Sequence, residues 1–165
     1  MFQRLRDQIW PSLRDAAVAI EHVGSTSITG MAAKPVIDVD IVIASGTNLP
    51  VARVRLKMLG YKHRGNVGID DREAFAPTND QPAHHLYVCS QNSLALRNHI
   101  AVRDYLRTHR PQAMAYSTLK KRLAERFPNE RARYIEGKTD FILSILEQCG
   151  FSAEELDSIR RANQM

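Results

Sequence analysis

Apolar residues recur in two patterns along this chain, and the first pattern predicts β-strands. In the first half they form short runs rich in β-branched residues, such as Val36 to Ile43, in which apolar and polar positions alternate. Successive side chains of a strand point to opposite faces, so this alternation is typical of strands. The predicted strands cover residues 18–23, 36–44, 61–67, 72–75 and 84–89.

The second pattern is helical, with apolar residues three or four positions apart. A last helix is predicted to begin at Ser152, because Ser152-Ala-Glu-Glu155 has the spacing of a capping box. The other predicted helices cover residues 2–17, 49–59, 94–109, 111–127 and 130–149, and a short helical turn covers 31–34.

The order of these elements predicts an α+β fold. Most strands come before about residue 90, and most helices come after residue 91. We expect a small mixed β-sheet with packed helices, followed by a carboxy-terminal helical bundle that lies against it. At 165 residues, the chain fits a single domain over residues 1–165 that is large enough for its own core.

Two aspartates interrupt the apolar strand over residues 36–44. Asp38 and Asp40 are two residues apart and therefore project from one face, whereas Ile37 and Val39 project from the other. Neighbouring carboxylates on a largely buried strand repel each other and are costly to desolvate, so positive charge must compensate. That charge is either a divalent cation with a preference for oxygen ligands or a set of arginines in ion pairs.

A glycine-serine turn precedes this strand. Twelve residues separate Ser25 from Asp38. Glycine permits a close approach of backbone to a ligand, and serine and threonine suit a helix start, where free N–H groups attract phosphate. The segment therefore predicts a phosphate-binding turn beside the aspartates. Its candidate residues are Gly24, Ser25, Thr26 and Ser27, with Lys34 either reaching a phosphate or facing solvent.

Three pairs of residues in the predicted helices each lie on one helix face, because their members are four residues apart. A tyrosine hydroxyl and a lysine ammonium can together bind phosphate, and arginine suits bidentate phosphate contacts. The alternative is that each tyrosine packs in the core while its lysine extends to water. The pairs are Tyr116 with Lys120, Tyr134 with Lys138, and Arg103 with Arg107.

Together these motifs resemble those of the nucleotidyltransferase superfamily, whose signature joins a Gly-Gly or Gly-Ser turn to a strand with two acidic residues that are separated by one apolar residue. Within that superfamily the chain is similar to the GrpB-like family, from about residue 20 to residue 146. The matching motifs are Glu21-His-Val-Gly-Ser-Thr-Ser27, Ala33-Lys-Pro-Val-Ile-Asp-Val-Asp40, His84-His-Leu-Tyr-Val88, Arg103-Asp-Tyr-Leu-Arg107, Tyr116-Ser-Thr-Leu-Lys120 and Tyr134 to Lys138.

The resemblance implies a nucleotidyltransferase-like fold that binds a nucleoside triphosphate, or another phosphorylated small molecule, with Mg²⁺ or Mn²⁺. Asp38 and Asp40 match the metal ligands, and Lys120 and Lys138 stand in matching motifs. An active enzyme of this kind transfers a nucleoside monophosphate to an acceptor hydroxyl by metal-assisted in-line displacement. Two alternatives stay open: a non-catalytic protein that binds a nucleotide or phosphate ligand on the same fold, and a nucleic-acid-binding accessory protein.

The chain departs from the family pattern in three places. Thr29 replaces a usual proline, and Tyr87 replaces the second histidine of a His-apolar-His strand. The amino terminus begins within the first predicted helix, from which we expect a missing edge strand or an unusual start site.

A further difference concerns the catalytic acids. A fully active nucleotidyltransferase carries a third carboxylate on the strand that corresponds to residues 84–89 of this chain. This sequence has no carboxylate there. His85 is the candidate substitute, as a metal ligand or as the base, and it should face the same way as the aspartates. The alternative is a hydrogen-bonded structural histidine. The candidate catalytic residues are therefore Asp38, Asp40 and His85.

Charge and composition narrow the choice of partners. The net charge is +5, and residues 91–138 hold eleven Lys or Arg against four Asp or Glu. Such an excess attracts polyanions, which are either the phosphates of a nucleotide or, as the less favoured partner, nucleic acid. No apolar segment has the length of a membrane span or the form of a signal peptide, so we expect a cytoplasmic protein without a membrane partner.

Overall fold

The structure, a computed structural model, describes residues 1–78 and 81–164. These residues form six α-helices. The helices are α1 (Phe2–Leu13), α2 (Leu49–Met58), α3 (Leu94–Thr108), α4 (Arg110–Arg126), α5 (Arg131–Gln148) and α6 (Ala153–Gln164). Within the described ranges, none of these helices combines the length and the apolar character that crossing a membrane requires.

Five strands form one mixed sheet, with the order β1-β2-β5-β4-β3. The strands are β1 (Ala19–Val23), β2 (Ile37–Ile43), β3 (Tyr61–Gly65), β4 (Arg72–Pro77) and β5 (His84–Ser90). Strands β2 and β5 are parallel, and the other neighbouring pairs are antiparallel. The predicted α+β class, with its small mixed sheet, is confirmed.

One face of the sheet is apolar and holds the main core. The odd-numbered residues of β2 lie there with Leu86 and Val88 of β5, packed against α1 and α2. This is the face that strand alternation predicted, and removal of its aliphatic side chains from water stabilises the packing of helices on sheet. The helices contribute Leu5, Ile9, Leu13, Ala52 and Leu56 to this cluster.

The opposite face of β2 and β5 is polar at one end and is covered by the carboxy-terminal helices. Leu96 of α3 packs on Val42 and Cys89, next to the polar residues. Helices α3 to α6 pack on one another through two further apolar clusters. The predicted capping box begins α6: the amide of Ser152 donates to Glu155 Oε2 at 2.9 Å, and the amide of Glu155 donates to Ser152 Oγ at 3.2 Å.

The predicted helical turn over residues 31–34 is wrong. The turn lies at Ser25–Ser27, as one turn of 3-10 helix, and residues 31–34 have no regular structure. Contacts with α4 hold the later segment: the amide of Ala32 donates to Ser117 Oγ at 2.9 Å, and Lys120 Nζ donates to Ala32 O at 2.7 Å. Tertiary hydrogen bonds therefore replace the local helical ones that the sequence indicated.

Two other element ends differ from the prediction by a few residues. Helix α1 ends at Leu13 rather than at residue 17, and residues 14–16 form a turn in which the amide of Ala16 donates to Leu13 O at 2.8 Å, one residue closer than in an α-helix. Strand β3 ends at Gly65 rather than at residue 67, because positive φ angles of 80° at Gly65 and 50° at Val67 break the extended conformation.

Candidate functional site

Two aspartates lie on the polar face of β2 and differ in exposure. The side chain of Asp38 is 32% exposed, whereas that of Asp40 is fully buried. Each carboxylate has a histidine partner, and within residues 1–78 and 81–164 neither forms an ion pair with lysine or arginine. The arginine ion pairs considered from the sequence are therefore absent from this part of the structure.

His85 lies beside Asp38 because β2 and β5 are parallel and in register at these residues. His85 Nδ1 is 2.8 Å from Asp38 Oδ1. An ionised carboxylate only accepts hydrogen bonds, so Nδ1 is the donor, and Nε2 of the neutral ring is left to accept a proton. The His85 side chain is 49% exposed, which makes the ring accessible to a bound molecule.

His99 of α3 is a site residue that the sequence analysis missed. Its Nδ1 donates to Asp40 Oδ2 at 2.7 Å. Burial lowers the pKa of His99, but the charge and hydrogen bond of Asp40 outweigh burial and raise this pKa overall. The contact depends on how α3 packs against β2. The one signal in the sequence is that His99 stands four residues before Arg103, on the same helix face.

The second oxygen of Asp40 has no hydrogen-bond partner. Asp40 Oδ1 is buried, and no donor among the described residues reaches it. A buried acceptor without a partner costs about 1–3 kcal/mol, so such atoms are rare unless a ligand completes them. Each aspartate thus gives one oxygen to a histidine and retains a second for another partner.

Gly24 brings the turn against Asp38. Its φ is 68°, in the left-handed region that favours glycine, and a Cβ built there would lie 2.2 Å from Asp38 Oδ2. Glycine is therefore required by the aspartate as well as by the turn. The other turn residues make local contacts: Ser27 Oγ donates to Gly24 O at 2.6 Å, and Thr26 Oγ1 is 3.0 Å from His22 Nε2.

Lys120 joins the turn to the helical part of the chain. It is 6% exposed, and its Nζ donates to Ser25 Oγ at 2.6 Å and to Ala32 O at 2.7 Å. Burial and the nearby Lys138 lower the pKa of Lys120 to about 8, while Asp38 opposes this shift. The alternative that Lys120 extends to water is wrong, because the side chain points inward to the turn.

Lys138 lies near Lys120 on the neighbouring helix. Burial lowers its pKa, and Asp38 opposes the shift. Its Nζ is 5.0 Å from the ring centroid of Tyr134, and it has no hydrogen bond or ion pair with any residue in the described ranges. Gly137 permits this proximity, since a Cβ there would lie 2.5 Å from Leu123 of α4. The two lysines and Asp38 therefore act on one another across the turn.

The structure separates Tyr116 from the predicted phosphate-binding group. Tyr116 is 5% exposed and stacks on Phe141 in the helical core, with ring centroids 5.1 Å apart. Burial raises the pKa of its hydroxyl. Its ring lies 5.0 Å from Lys120 Nζ. Tyr116 is thus a core residue that supports Lys120, as the alternative for the tyrosines proposed.

Arg103 and Arg107 were predicted to contact phosphate, but both donate hydrogen bonds to other groups of the protein. Arg103 Nη1 donates to Glu21 Oε2 at 2.6 Å, and its Nε donates to Asp104. Arg107 donates to Ser27 O through Nε and Nη2 at 3.1 and 2.9 Å. Both arginines hold β1 and the turn in place. Lys34 is exposed, and its ammonium group forms no hydrogen bond to the described residues.

Tyr87 occupies the place on β5 that is directly opposite Asp40. Its ring centroid lies 6.4 Å from that of His85 and 6.2 Å from that of His99. Strand β5, with the sequence His-His-Leu-Tyr-Val-Cys-Ser, contains no carboxylate. The Tyr87 ring therefore lies near both histidines, at the strand position opposite the buried aspartate.

Comparison with known proteins places this chain in a family. The profile of the family described as GrpB protein matches residues 1–148. The UPF0157 protein YqkA of Bacillus subtilis is 39% identical over 125 residues, which cover 76% of this chain and 36% of that protein. The chain thus matches only about a third of the length of this relative.

Solved structures agree on the fold. The conserved protein GrpB from Enterococcus faecalis has a TM-score of 0.77 and 27% identity, covering 97% of this chain and 91% of that one. Terminal uridylyl transferase 4 from Trypanosoma brucei, with bound CTP, has a TM-score of 0.52 and 12% identity, covering 96% of this chain and 53% of that one. The second likeness concerns the fold alone, which is nucleotidyltransferase-like. The chain belongs to the GrpB family.

Proposed function

We propose that this protein binds a nucleoside triphosphate as its Mg²⁺ complex and transfers the nucleoside monophosphate to an acceptor hydroxyl. The observation that carries this proposal is the arrangement of the two β2 carboxylates, each with one oxygen that is not bonded to histidine. They lie across a glycine turn from the buried Lys120 and the partly buried Lys138. Carboxylates facing cations across a phosphate-sized turn suit a metal–nucleotide complex. The bound CTP of the uridylyl transferase with the same fold supports a nucleotide ligand.

The chemistry of the donor set fits a metal that arrives with the nucleotide. Among the described residues, no group of three or more histidine, cysteine, aspartate or glutamate side chains is arranged to hold a metal. Mg²⁺ in polymerase-type sites uses one or two carboxylates together with substrate phosphates, so two aspartates suffice. Asp38 and Asp40 would hold Mg²⁺ or Mn²⁺, which would neutralise phosphate charge and polarise the reacting phosphoryl group.

The phosphates would be bound by the turn and the two lysines. The first turn of 3-10 helix after Gly24 offers backbone N–H groups, and Ser25 offers its hydroxyl. Lys120 already donates to that hydroxyl. Lys138 is available, because its ammonium group has only the Tyr134 ring as a close partner in the described chain. These side chains neutralise charge that would otherwise repel the aspartates.

His85 is the best candidate for the base that takes the acceptor proton. Asp38 fixes the proton on Nδ1, so Nε2 is the acceptor, and the carboxylate would stabilise the imidazolium that forms. With no carboxylate on β5, we expect slow turnover with generic hydroxyl acceptors. The same observation favours a second candidate function, in which the protein binds the metal–nucleotide complex without transferring the nucleotide.

The test is calorimetric titration with a panel of nucleoside triphosphates, with and without Mg²⁺. We expect Mg²⁺-dependent binding that Asp40→Asn abolishes. Asp70→Asn, in an exposed loop, is the matched control and should bind like the parent. Absence of binding by any triphosphate, or equal binding by Asp40→Asn, would refute the proposal.

Turnover then separates the two candidate functions. Pyrophosphate release in the presence of hydroxyl acceptors, lost in His85→Ala, would support transfer with His85 as the base. Nucleotide binding without pyrophosphate release would favour the binding protein. Release at an ordinary enzyme rate in His85→Ala would assign the base to another residue.

A further inference from the structure

Arg72 is a partly buried cation without a protein partner. It is the first residue of β4, and its Cζ lies 4.3 Å from the ring centroid of Tyr87, as a cation–π contact. Its Nε is buried and unsatisfied, and its guanidinium forms no hydrogen bond or ion pair within residues 1–78 and 81–164. Most arginines of the described chain that are this enclosed have a carboxylate or carbonyl partner, as Arg103 has.

Several charges converge on the hydroxyl of Tyr87. Burial raises the pKa of Tyr87, Arg72 and Arg131 lower it, and Asp38 and Asp40 raise it. Of these charged groups, Arg72 is the one in contact with the Tyr87 ring. Arg131, at the start of α5, has no ion pair in the described chain either. Arg131 is exposed and also lowers the pKa of Lys138, so it lies within range of the proposed phosphate-binding lysines as well.

The sheet order separates Arg72 from the proposed phosphate-binding turn at Gly24–Ser27. The glycine turn follows β1, on one side of β2, whereas Arg72 lies on β4, beyond β5 on the other side. Neighbouring strands are about 4.8 Å apart, so Arg72 lies about 10 Å from the strand that carries Asp40. The nucleotide phosphates beside Lys120 and Lys138 do not account for it. A second anion, on the far side of the aspartates, would.

We propose that Arg72 binds a phosphate group of the acceptor and so holds the acceptor hydroxyl beside Asp40 and Tyr87. This inference rests on the proposed function. A planar guanidinium presents paired N–H donors that match phosphate oxygens, which favours phosphate over a simple halide or a neutral alcohol. The acceptor is therefore a phosphorylated alcohol, either a small phosphate ester or the end of a nucleic acid strand.

The experiment titrates inorganic phosphate into the protein after the nucleotide site has been saturated with Mg²⁺ and an α,β-methylene nucleoside triphosphate. We expect Arg72→Gln to weaken phosphate binding by about tenfold or more, while the affinity for the analogue is unchanged. Arg64→Gln, an exposed arginine on the neighbouring strand β3, is the control and should bind phosphate like the parent.

Two results would overturn the inference. One is phosphate binding by Arg72→Gln that equals the parent's, and the other is a loss of analogue affinity in that variant, which would assign Arg72 to the nucleotide. Melting temperatures verify that the variants are folded. Arg72→Lys retains the charge and the stem but not the paired donors, and it should weaken phosphate binding to an intermediate extent if Arg72→Gln does not fold.

Two further measurements complete the experiment. One identifies the molecule that carries the phosphate, and the other distinguishes a failure of this inference from a failure of the proposed function. Tighter binding of a short single-stranded oligoribonucleotide than of glycerol phosphate, with steep salt dependence, supports a nucleic acid end. Equal binding supports a small ester. If the analogue fails to bind the parent protein, the nucleotide function fails, and the same phosphate titration without analogue still tests Arg72 by itself.

Discussion

The two faces of strand β2 differ in what they contribute to the protein. On one face, Ile37, Val39 and Ile41 are buried among α1, α2 and the neighbouring strands, with apolar partners. On the other face, Asp38 and Asp40 carry charge, and the buried Oδ1 of Asp40 has no partner in the described chain. The first face stabilises the sheet, whereas the second holds groups that are unfavourable in the absence of a ligand.

This difference indicates that the alternation of side chains along one strand places the residues that stabilise the fold on one face and the candidate site residues on the other. A rigid apolar face fixes the backbone, so that the carboxylates on the opposite face are held in place despite their mutual repulsion. Substitutions on the two faces should then have different signatures. The apolar face should affect the free energy of unfolding, and the polar face should affect ligand binding.

The largest effect is expected on the apolar face. Leu86 of β5 is fully buried, so Leu86→Ala should lower the free energy of unfolding by about 2–5 kcal/mol. Nucleotide affinity of the folded fraction should stay unchanged. Urea unfolding and calorimetric titration measure the two quantities. Met58→Ala, at a residue 82% exposed, is the control and should have almost no effect. A change in affinity without a change in stability would contradict the separation of the faces.

The second-largest effect, on both stability and nucleotide binding, is expected for a substitution in the turn that begins at Gly24. Gly24→Ala adds a Cβ that would lie 2.2 Å from Asp38 Oδ2, in a residue with φ of 68°. We expect a loss of about 1–3 kcal/mol in stability together with loss of nucleotide binding. Gly30→Ala has a similar φ of 78° but free space around its Cβ, so it isolates the backbone strain. If both variants bind nucleotide equally, the contact between Gly24 and Asp38 is not needed for the site.

A smaller effect is expected for the serine that accepts from Lys120. Ser25→Ala removes that hydrogen bond and one donor to phosphate, so nucleotide binding should weaken by about 1 kcal/mol. Ser144→Ala, which removes an exposed hydrogen bond within α5, is the control. Calorimetric titration gives both affinities, and an unchanged affinity in Ser25→Ala would remove the hydroxyl from the phosphate-binding group.

The smallest expected effect is the uptake of part of a proton by Lys120 when nucleotide binds. In the free protein the pKa of Lys120 is about 8, below its ordinary value, so the amine is partly neutral above that pH. Phosphate nearby favours the ammonium form and raises the pKa, so nucleotide binding at about pH 8.5 should take up a fraction of a proton, and at about pH 6.5 none. Titrations in buffers of different ionisation enthalpy measure this uptake.

The matched variants test the assignment of that proton. Lys120→Gln should abolish the uptake, while Lys121→Gln, at an exposed neighbour, should retain it. Persistence of the uptake in Lys120→Gln would indicate that another group titrates.

Residues whose role follows from local periodicity were predictable from the sequence. Alternation along β2 predicted that Asp38 and Asp40 share a face, and the two strands in register then bring His85 to Asp38. The fold class also followed from the order of strands and helices. These inferences depend on geometry within one element or between neighbouring strands, and that geometry is regular.

Residues whose role depends on distant packing were not predictable. Arg103 and Arg107 have the spacing of a phosphate site, but Glu21 and Ser27, about 80 residues earlier, take their donors. The helical spacing of His99 from Arg103 did not indicate its partner, because only the packing of α3 brings His99 to Asp40. In each case the decisive partner is remote in sequence, and periodicity carries no information about it.

The hydrogen bond from Lys120 to Ser25 has a consequence for the fraction of molecules in which the candidate site is fully formed. The two residues are 95 positions apart, so a single hydrogen-bonded lysine closes a loop that contains most of the fold. Closing so long a loop is unfavourable for the chain by itself, and the apolar packing of α4 on its neighbours must supply the compensation. Local opening of α4 would therefore separate Lys120 from the turn at Ser25 while the aspartates remain on an intact sheet. For the proposed function, this means that the ligand site would form only when the sheet and the helical part of the chain are folded together.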